Sequence, residues 1–230
     1  LFMAMCMVVS MSPITAYASI FGDVFKEYTI GGYRDGTRDN DYILNIISRV
    51  IPNKSLTLAG TSKYRRANYG RDVIYTSGPL FYVPDGCTLT IKDNVVVTSE
   101  TNDVCNQPLI VVESGGRLIL EGNASIRDTS SYEQPAVLLR DGATFEMRGG
   151  TIQNAKRGVL VESGATFIMT GGTIKDCLGA DGAGVRVDGG TFTMTNATID
   201  HCGGHMTSFG GGIALVNGAT FTVSNSTIKN

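Results

Sequence analysis

Between Arg140 and Ile228 the chain writes almost the same line four times. It reads "RDGATFEMRGGTI" from Arg140, "SGATFIMTGGTI" from Ser163, "DGGTFTMTNATI" from Asp188 and "NGATFTVSNSTI" from Asn217. A short repeat of this kind constrains the fold strongly, because one unit cannot bury its apolar face alone and must stack on its neighbours. Aligning the turn glycines Gly86, Gly115, Gly142, Gly164, Gly189 and Gly218 gives intervals of 29, 27, 22, 25 and 29 residues. That period defines a solenoid. The pattern within it decides which one.

Three residues after these glycines stand Leu89, Leu118, Phe145, Phe167, Phe192 and Phe221. Two further on come Ile91, Leu120, Met147, Met169, Met194 and Val223, with mostly polar residues such as Thr90, Glu146, Thr193 and Thr222 between. Alternation with period two is the signature of a strand with one buried face. Another strand precedes each glycine, in the words FYV, IVV, VLL, VLV, VRV and IAL beginning at Phe81, Ile110, Val137, Val159, Val185 and Ile213. A third, short strand carries Val96, Ile152, Ile174, Ile199 and Ile228, ten residues after the glycine.

Three short strands per unit leave no room for a helix, which excludes leucine-rich and ankyrin-type repeats. Each unit is therefore one coil of a parallel β-helix, an all-β fold. Coils stacked about 4.8 Å apart turn every column of equivalent residues into a ladder. Phe145, Phe167, Phe192 and Phe221 are expected to form one buried stack, each contributing roughly 1.5–3 kcal/mol by area transfer. Gly149, Gly171, Asn196 and Asn225 share a corner column suited to positive φ. The glycosylation-type sequons at Asn196 and Asn225, and a third at Asn123, are read as turn chemistry. Between the third strand and the next first strand the link grows from 7 residues (Ile152 to Val159) to 11 (Ile174 to Val185) and 14 (Ile199 to Ile213). Insertions on one face of a solenoid mark its working face.

The ends read differently. Residues 1–18, "LFMAMCMVVSMSPITAYA", carry no charge, break at Pro13 and end in the small-residue signal Ala16-Tyr17-Ala18. They read as an export signal lacking its basic start, too short for a spanning helix, so no membrane span is expected in the mature chain. Residues 19–80 form an amino-terminal cap and a degenerate first coil. Within them "DNDYILNIISRVI" (39–51) has near-helical apolar spacing, which predicts a helical or irregular cap, and "KSLTL" (54–58) a strand. Residues 81–230 are the β-helix, expected to continue past Asn230. The 230 residues, with a net charge of −2 and a pI near 5.7, give no basic face for nucleic acid.

The words "DGGTFTMTNATI" and "FGGGIALVNGATFTVSNSTI" resemble the glycine-rich right-handed β-helix repeats of large exported bacterial surface proteins, within the broad pectin-lyase-like superfamily. The resemblance covers residues 81–230 and implies the right-handed coil. It also implies a secreted or cell-surface location, with an extracellular glycan or a host protein as partner. It does not choose a function, since that superfamily holds polysaccharide lyases, glycoside hydrolases, adhesins and passive stalks.

Side chains able to do chemistry are few. The outward column of the first strand is Tyr82, Val111, Leu138, Leu160, Arg186 and Ala214, mainly apolar and without a carboxylate cluster. Beside it run Glu113, Arg140, Glu162 and Asp188. Two carboxylates with an arginine could perform acid–base chemistry on a glycosidic bond. Stacking at strand spacing also makes them an ion ladder, with Arg140 between Glu113 and Glu162, and this reading has the stronger physical basis. Asp200, His201 and His205, with Cys202, lie around the longest loop and are the only candidate metal ligands. No second ligand cluster accompanies them and a polar loop with two histidines needs no metal, so none is expected. No cofactor motif is present.

Removing residues 1–18 leaves Cys87, Cys105, Cys177 and Cys202, an even set that permits disulfides in an exported chain. Cys177 and Cys202 each follow their third-strand isoleucine by three residues, with Ala155 in the same column one coil earlier. They form the candidate pair.

Overall fold

The computed structural model describes residues 28–30, 42–46, 55–66, 78–99, 106–129, 133–203 and 211–229. The export signal, Cys6, Cys105, Tyr132, His205 and Phe209 lie outside the described residues.

Six triplets of strands make six coils. Coil I is Phe81–Val83, Thr88–Ile91 and Val96–Ser99. Coil II is Ile110–Val112, Arg117–Leu120 and Ser125–Arg127. Coil III is Pro135–Leu139, Thr144–Met147 and Thr151–Gln153. Coil IV is Arg157–Val161, Thr166–Met169 and Thr173–Lys175. Coil V is Val185–Asp188, Thr191–Thr195 and Thr198–Asp200, and coil VI is Ile213–Val216, Thr220–Ser224 and Thr227–Lys229. Equivalent strands pair in parallel, so the first strands form a six-stranded sheet and the second and third strands two eight-stranded ones.

The register follows the glycine alignment. Phe145 pairs Phe167, Phe167 pairs Phe192 and Phe192 pairs Phe221. Their rings lie nearly parallel, with centroids 4.7, 4.7 and 5.0 Å apart. The first three are fully buried, while Phe221 in the last coil is only partly covered. Rungs continue through the corners: Thr144, Thr166, Thr191 and Thr220 donate their N–H to Gly116, Ala143, Ala165 and Gly190 at 2.9–3.0 Å. The six turn glycines all have positive φ, from 67° to 76°, a conformation that only glycine adopts without steric cost.

Three expectations need correction. The first is the helical cap: Tyr42–Ile46 is a strand, paired in parallel with Ser62–Arg66 in the third-strand sheet. Four residues of near-helical spacing are equally an edge of alternation, and the neighbouring strand decides between them. The "KSLTL" expectation holds, since Ser55–Leu58 pairs with Thr88–Ile91. Tyr64, fully buried, meets Phe81 edge-on at 6.2 Å and fills the interior at this end.

The second correction is a one-residue shift. Val97, not Val96, continues the inward column Ile126, Ile152, Ile174 and Ile199. Coils I and II place five residues between Ile91 and Val97 and between Leu120 and Ile126, where later coils place four. The third concerns the same corner: positive φ falls on Gly150 and Gly172 rather than Gly149 and Gly171, while Asn196 and Asn225 have it as expected. Turns of equal length thus place their left-handed residue differently in glycine and asparagine coils.

Candidate functional site

The first-strand face carries the outward column in the register read from sequence: Tyr82, Val111, Leu138, Leu160, Arg186, Ala214. Val111 and Leu138 expose only 5% and 6% of their surface. None of the six residues of this column is a carboxylate.

The adjoining charged column is an ion pair with flanking acids. Arg140 Nη1 reaches Glu162 Oε1 at 3.1 Å and Oε2 at 3.3 Å, and Glu113 is not part of that pair. The expected sandwich is therefore one-sided. Asp188 belongs to a separate pair, 3.7 Å from Arg186, and accepts a hydrogen bond from Asn217 Nδ2 at 2.5 Å.

A second charged network, missed in the sequence, lies on the second-strand sheet. Arg117 binds Glu146 Oε1, Arg148 Nη2 binds Glu146 Oε2 at 2.7 Å, and Arg148 Nη1 reaches Glu121 Oε2 at 3.5 Å. Both oxygens of Glu146 are engaged. Partial burial pushes this carboxyl up, but hydrogen bonds and charge from Arg148 and Arg117 outweigh it and hold it below the usual range. A carboxylate held anionic by two guanidinium groups is a poor proton donor. The column Lys92, Glu121, Arg148 was the available signal, alternating in sign on adjacent coils.

This network makes a pH-dependent prediction. A depressed folded pKa contributes stability above the unfolded carboxyl's range, and that contribution is lost as pH falls through the folded one. Glu146→Gln should therefore cost about 1 kcal/mol at neutral pH. The gap from wild type should close in acid and in high salt, measured by denaturant titration at several pH values. A gap independent of pH would mean that packing, not charge, was lost.

At the candidate metal ligands, Asp200 Oδ1 lies 2.7 Å from His201 Nδ1 and Oδ2 lies 3.4 Å from Lys229 Nζ. Among the described residues no group of three or more His, Cys, Asp or Glu side chains could hold a metal ion. His201 has φ 46°, in the same corner position as Asn154 (60°) and Asp176 (53°). Its place is explained by turn geometry, which histidine tolerates better than most residues.

The cysteine column is brought together. Cys177 and Cys202 are both fully buried, and each thiol donates to a main-chain carbonyl, Cys177 Sγ to Lys175 O at 3.4 Å and Cys202 Sγ to Asp200 O at 3.3 Å. The neighbouring Cys202 thiol, then burial, push the Cys177 thiol up, while Cys177 lowers Cys202 against the effect of burial. Arg157, also passed over in the sequence, donates to the Ala180 carbonyl at 3.3 Å beside the first-strand face. Burial first, then Arg186, lowers its pKa against the opposing charges of Glu133 and Asp181.

Three parallel sheets wound from one chain, with columns of like residues in register, define a parallel β-solenoid. The family model for the right-handed β-helix region matches residues 81–230, and the chain belongs to that family. No curated protein and no solved structure matches it. Among the described residues no helix is long and apolar enough to cross a membrane.

Proposed function

We propose that this chain is a non-catalytic segment of an exported surface protein, a β-helical stalk or adhesin-like region that presents loops on one face. Its partner is an extracellular glycan or a host protein. One observation carries this reading: three arginines of coils II and III are engaged in ion pairs that join neighbouring coils. Arg140 bridges to Glu162, Arg117 to Glu146 and Arg148 to Glu121. The outward first-strand column, meanwhile, is mainly apolar.

The lengthening links after the third strands place variable loops along one side, as suits display. The resemblance to exported bacterial β-helix repeats of the pectin-lyase-like superfamily supports the same reading, and the uncharged start of the chain supports export.

The competing class is a polysaccharide lyase or glycoside hydrolase working through Glu113 and Glu162. These stand two coils apart, about 9.6 Å by strand spacing, near the upper limit for an inverting pair. Arg140 occupies the coil between them and is bonded to one, so the gap is filled by a guanidinium. Incubation with polygalacturonate and other common polysaccharides, with and without calcium, should release no unsaturated or reducing ends. Release that disappears in Glu113→Gln or Glu162→Gln would establish the enzyme instead.

A further inference from the structure

The corner that follows the third strands of coils IV and V sets two thiols in register. Lys175 pairs with Asp200, and the ladder carries on round the bend. Asp176 N donates to Asp200 O at 3.1 Å and Gly203 N donates to Cys177 O at 3.0 Å, so one rung lies on each side of the cysteine pair. Glycine opposite makes the room. A Cβ built on Gly158 would stand 3.6 Å from Cys177 Sγ, and one on Gly184 3.4 Å from Cys202 Cβ. Backbones one strand spacing apart, about 4.8 Å, fall inside the Cα range of about 4.4–6.8 Å that a disulfide tolerates.

We propose that Cys177 and Cys202 are a disulfide-forming pair that closes coil V into a covalent ring. The two residues are 25 apart in sequence, and between them the chain makes one full circuit through Val185–Asp188, Thr191–Thr195 and Thr198–Asp200. A bond here joins the start of that circuit to its end. Unwinding from either terminus must then stop at coil V, which opens only as a closed loop.

The chemistry is exchange with an oxidised disulfide, either a small molecule or a protein. Both S–H bonds break and one S–S bond forms, while the acceptor takes two protons and two electrons and leaves as two thiols. Neither sulfur has exposed surface in the folded coil. Exchange therefore accompanies folding, before the corner is covered, and is slow once coil V is complete. The pairing needs only the corner, so its failure would leave the display role standing, and the reverse also holds.

The test is to refold the whole chain from denaturant in mixtures of oxidised and reduced glutathione, block free thiols with N-ethylmaleimide and map the peptides. The expected product is a Cys177–Cys202 cross-linked peptide. In that product the amides of Val185–Thr195 should exchange with solvent about 100- to 500-fold more slowly than in the reduced protein. At about 1.4 kcal/mol per tenfold, this is the 3–4 kcal/mol that loop closure predicts. Cys177→Ala should give no cross-link and the exchange rates of the reduced form. Blocked thiols at both positions after oxidative refolding, or either one bonded elsewhere, would overturn the pairing. A correct cross-link with unchanged exchange would overturn the ring.

Discussion

Phe167→Ala should cost about 3–5 kcal/mol, the range for truncating a fully buried aromatic side chain. Phe167 exposes no surface and lies between Phe145 and Phe192, each ring 4.7 Å away and within 8° of parallel. Its removal takes away the transfer energy of one ring and both stacking contacts, and aromatic pairs add about 0.5–1.5 kcal/mol each beyond area burial. The space left is closed above and below by rings fixed to their own strands, so the site collapses poorly. Solenoid contacts are nearest-neighbour, so the loss should be felt in coils III to V and little elsewhere. Amide hydrogen exchange resolved by peptide would check this: protection should fall in Thr144–Met147, Thr166–Met169 and Thr191–Thr195 and persist in coil I. The same change at Phe221, partly exposed and with one ring neighbour among the described residues, should cost about half as much when made in this 230-residue chain. Equal losses at the two positions would contradict the stack as the source of stability.

Much of this was legible because a solenoid repeats its local code. The alternation around Phe145, Phe167 and Phe192 fixed which face is inward, and the glycine spacing placed residues on adjacent coils, so pairing followed without long-range information. The same reading found the outward column from Tyr82 to Ala214 and the neighbouring thiols. It failed where one residue more or less moves a register. The extra residue before Val97 and Ile126 cannot be told from a substitution until the partner strand is known. At Tyr42–Ile46 the apolar spacing fitted two periods, and the parallel neighbour Ser62–Arg66 selected the strand. The Arg117–Glu146–Arg148 network was missed because its members lie in three different columns, with Arg117 one coil before Glu146 and Arg148. The reach of a long guanidinium, not column identity, joins them.

Glycine was the residue read least completely, and it supplies the second large effect. Gly158→Ala should cost about 3 kcal/mol, against about 1 kcal/mol for Gly86→Ala, although the turn glycine is the one that the repeat advertises. At Gly86, φ is +67° and nothing lies within 4 Å of an added Cβ, so the penalty is the left-handed backbone alone. At Gly158 the backbone is ordinary, but the Cβ would stand 2.5 Å from the Gly184 carbonyl oxygen and 2.9 Å from Ile174 Cγ2. The first of these is main chain, pinned in a ladder: Val159 N donates to Gly184 O at 3.0 Å, and Gly158 N donates to Ala183 O at 2.7 Å. Coils IV and V would have to separate locally, straining both rungs. Gly184 repeats the arrangement one coil on, 2.4 Å from the Gly212 carbonyl. There the neighbour belongs to the last coil and has none above it among the described residues, so it gives way more easily. The expected order of destabilisation in urea titrations is Gly158→Ala, then Gly184→Ala, then Gly86→Ala. If Gly86→Ala matched Gly158→Ala, backbone strain would outweigh close approach, and the column Gly158, Gly184, Gly212 would not be what lets the first strands pass the cysteine corner.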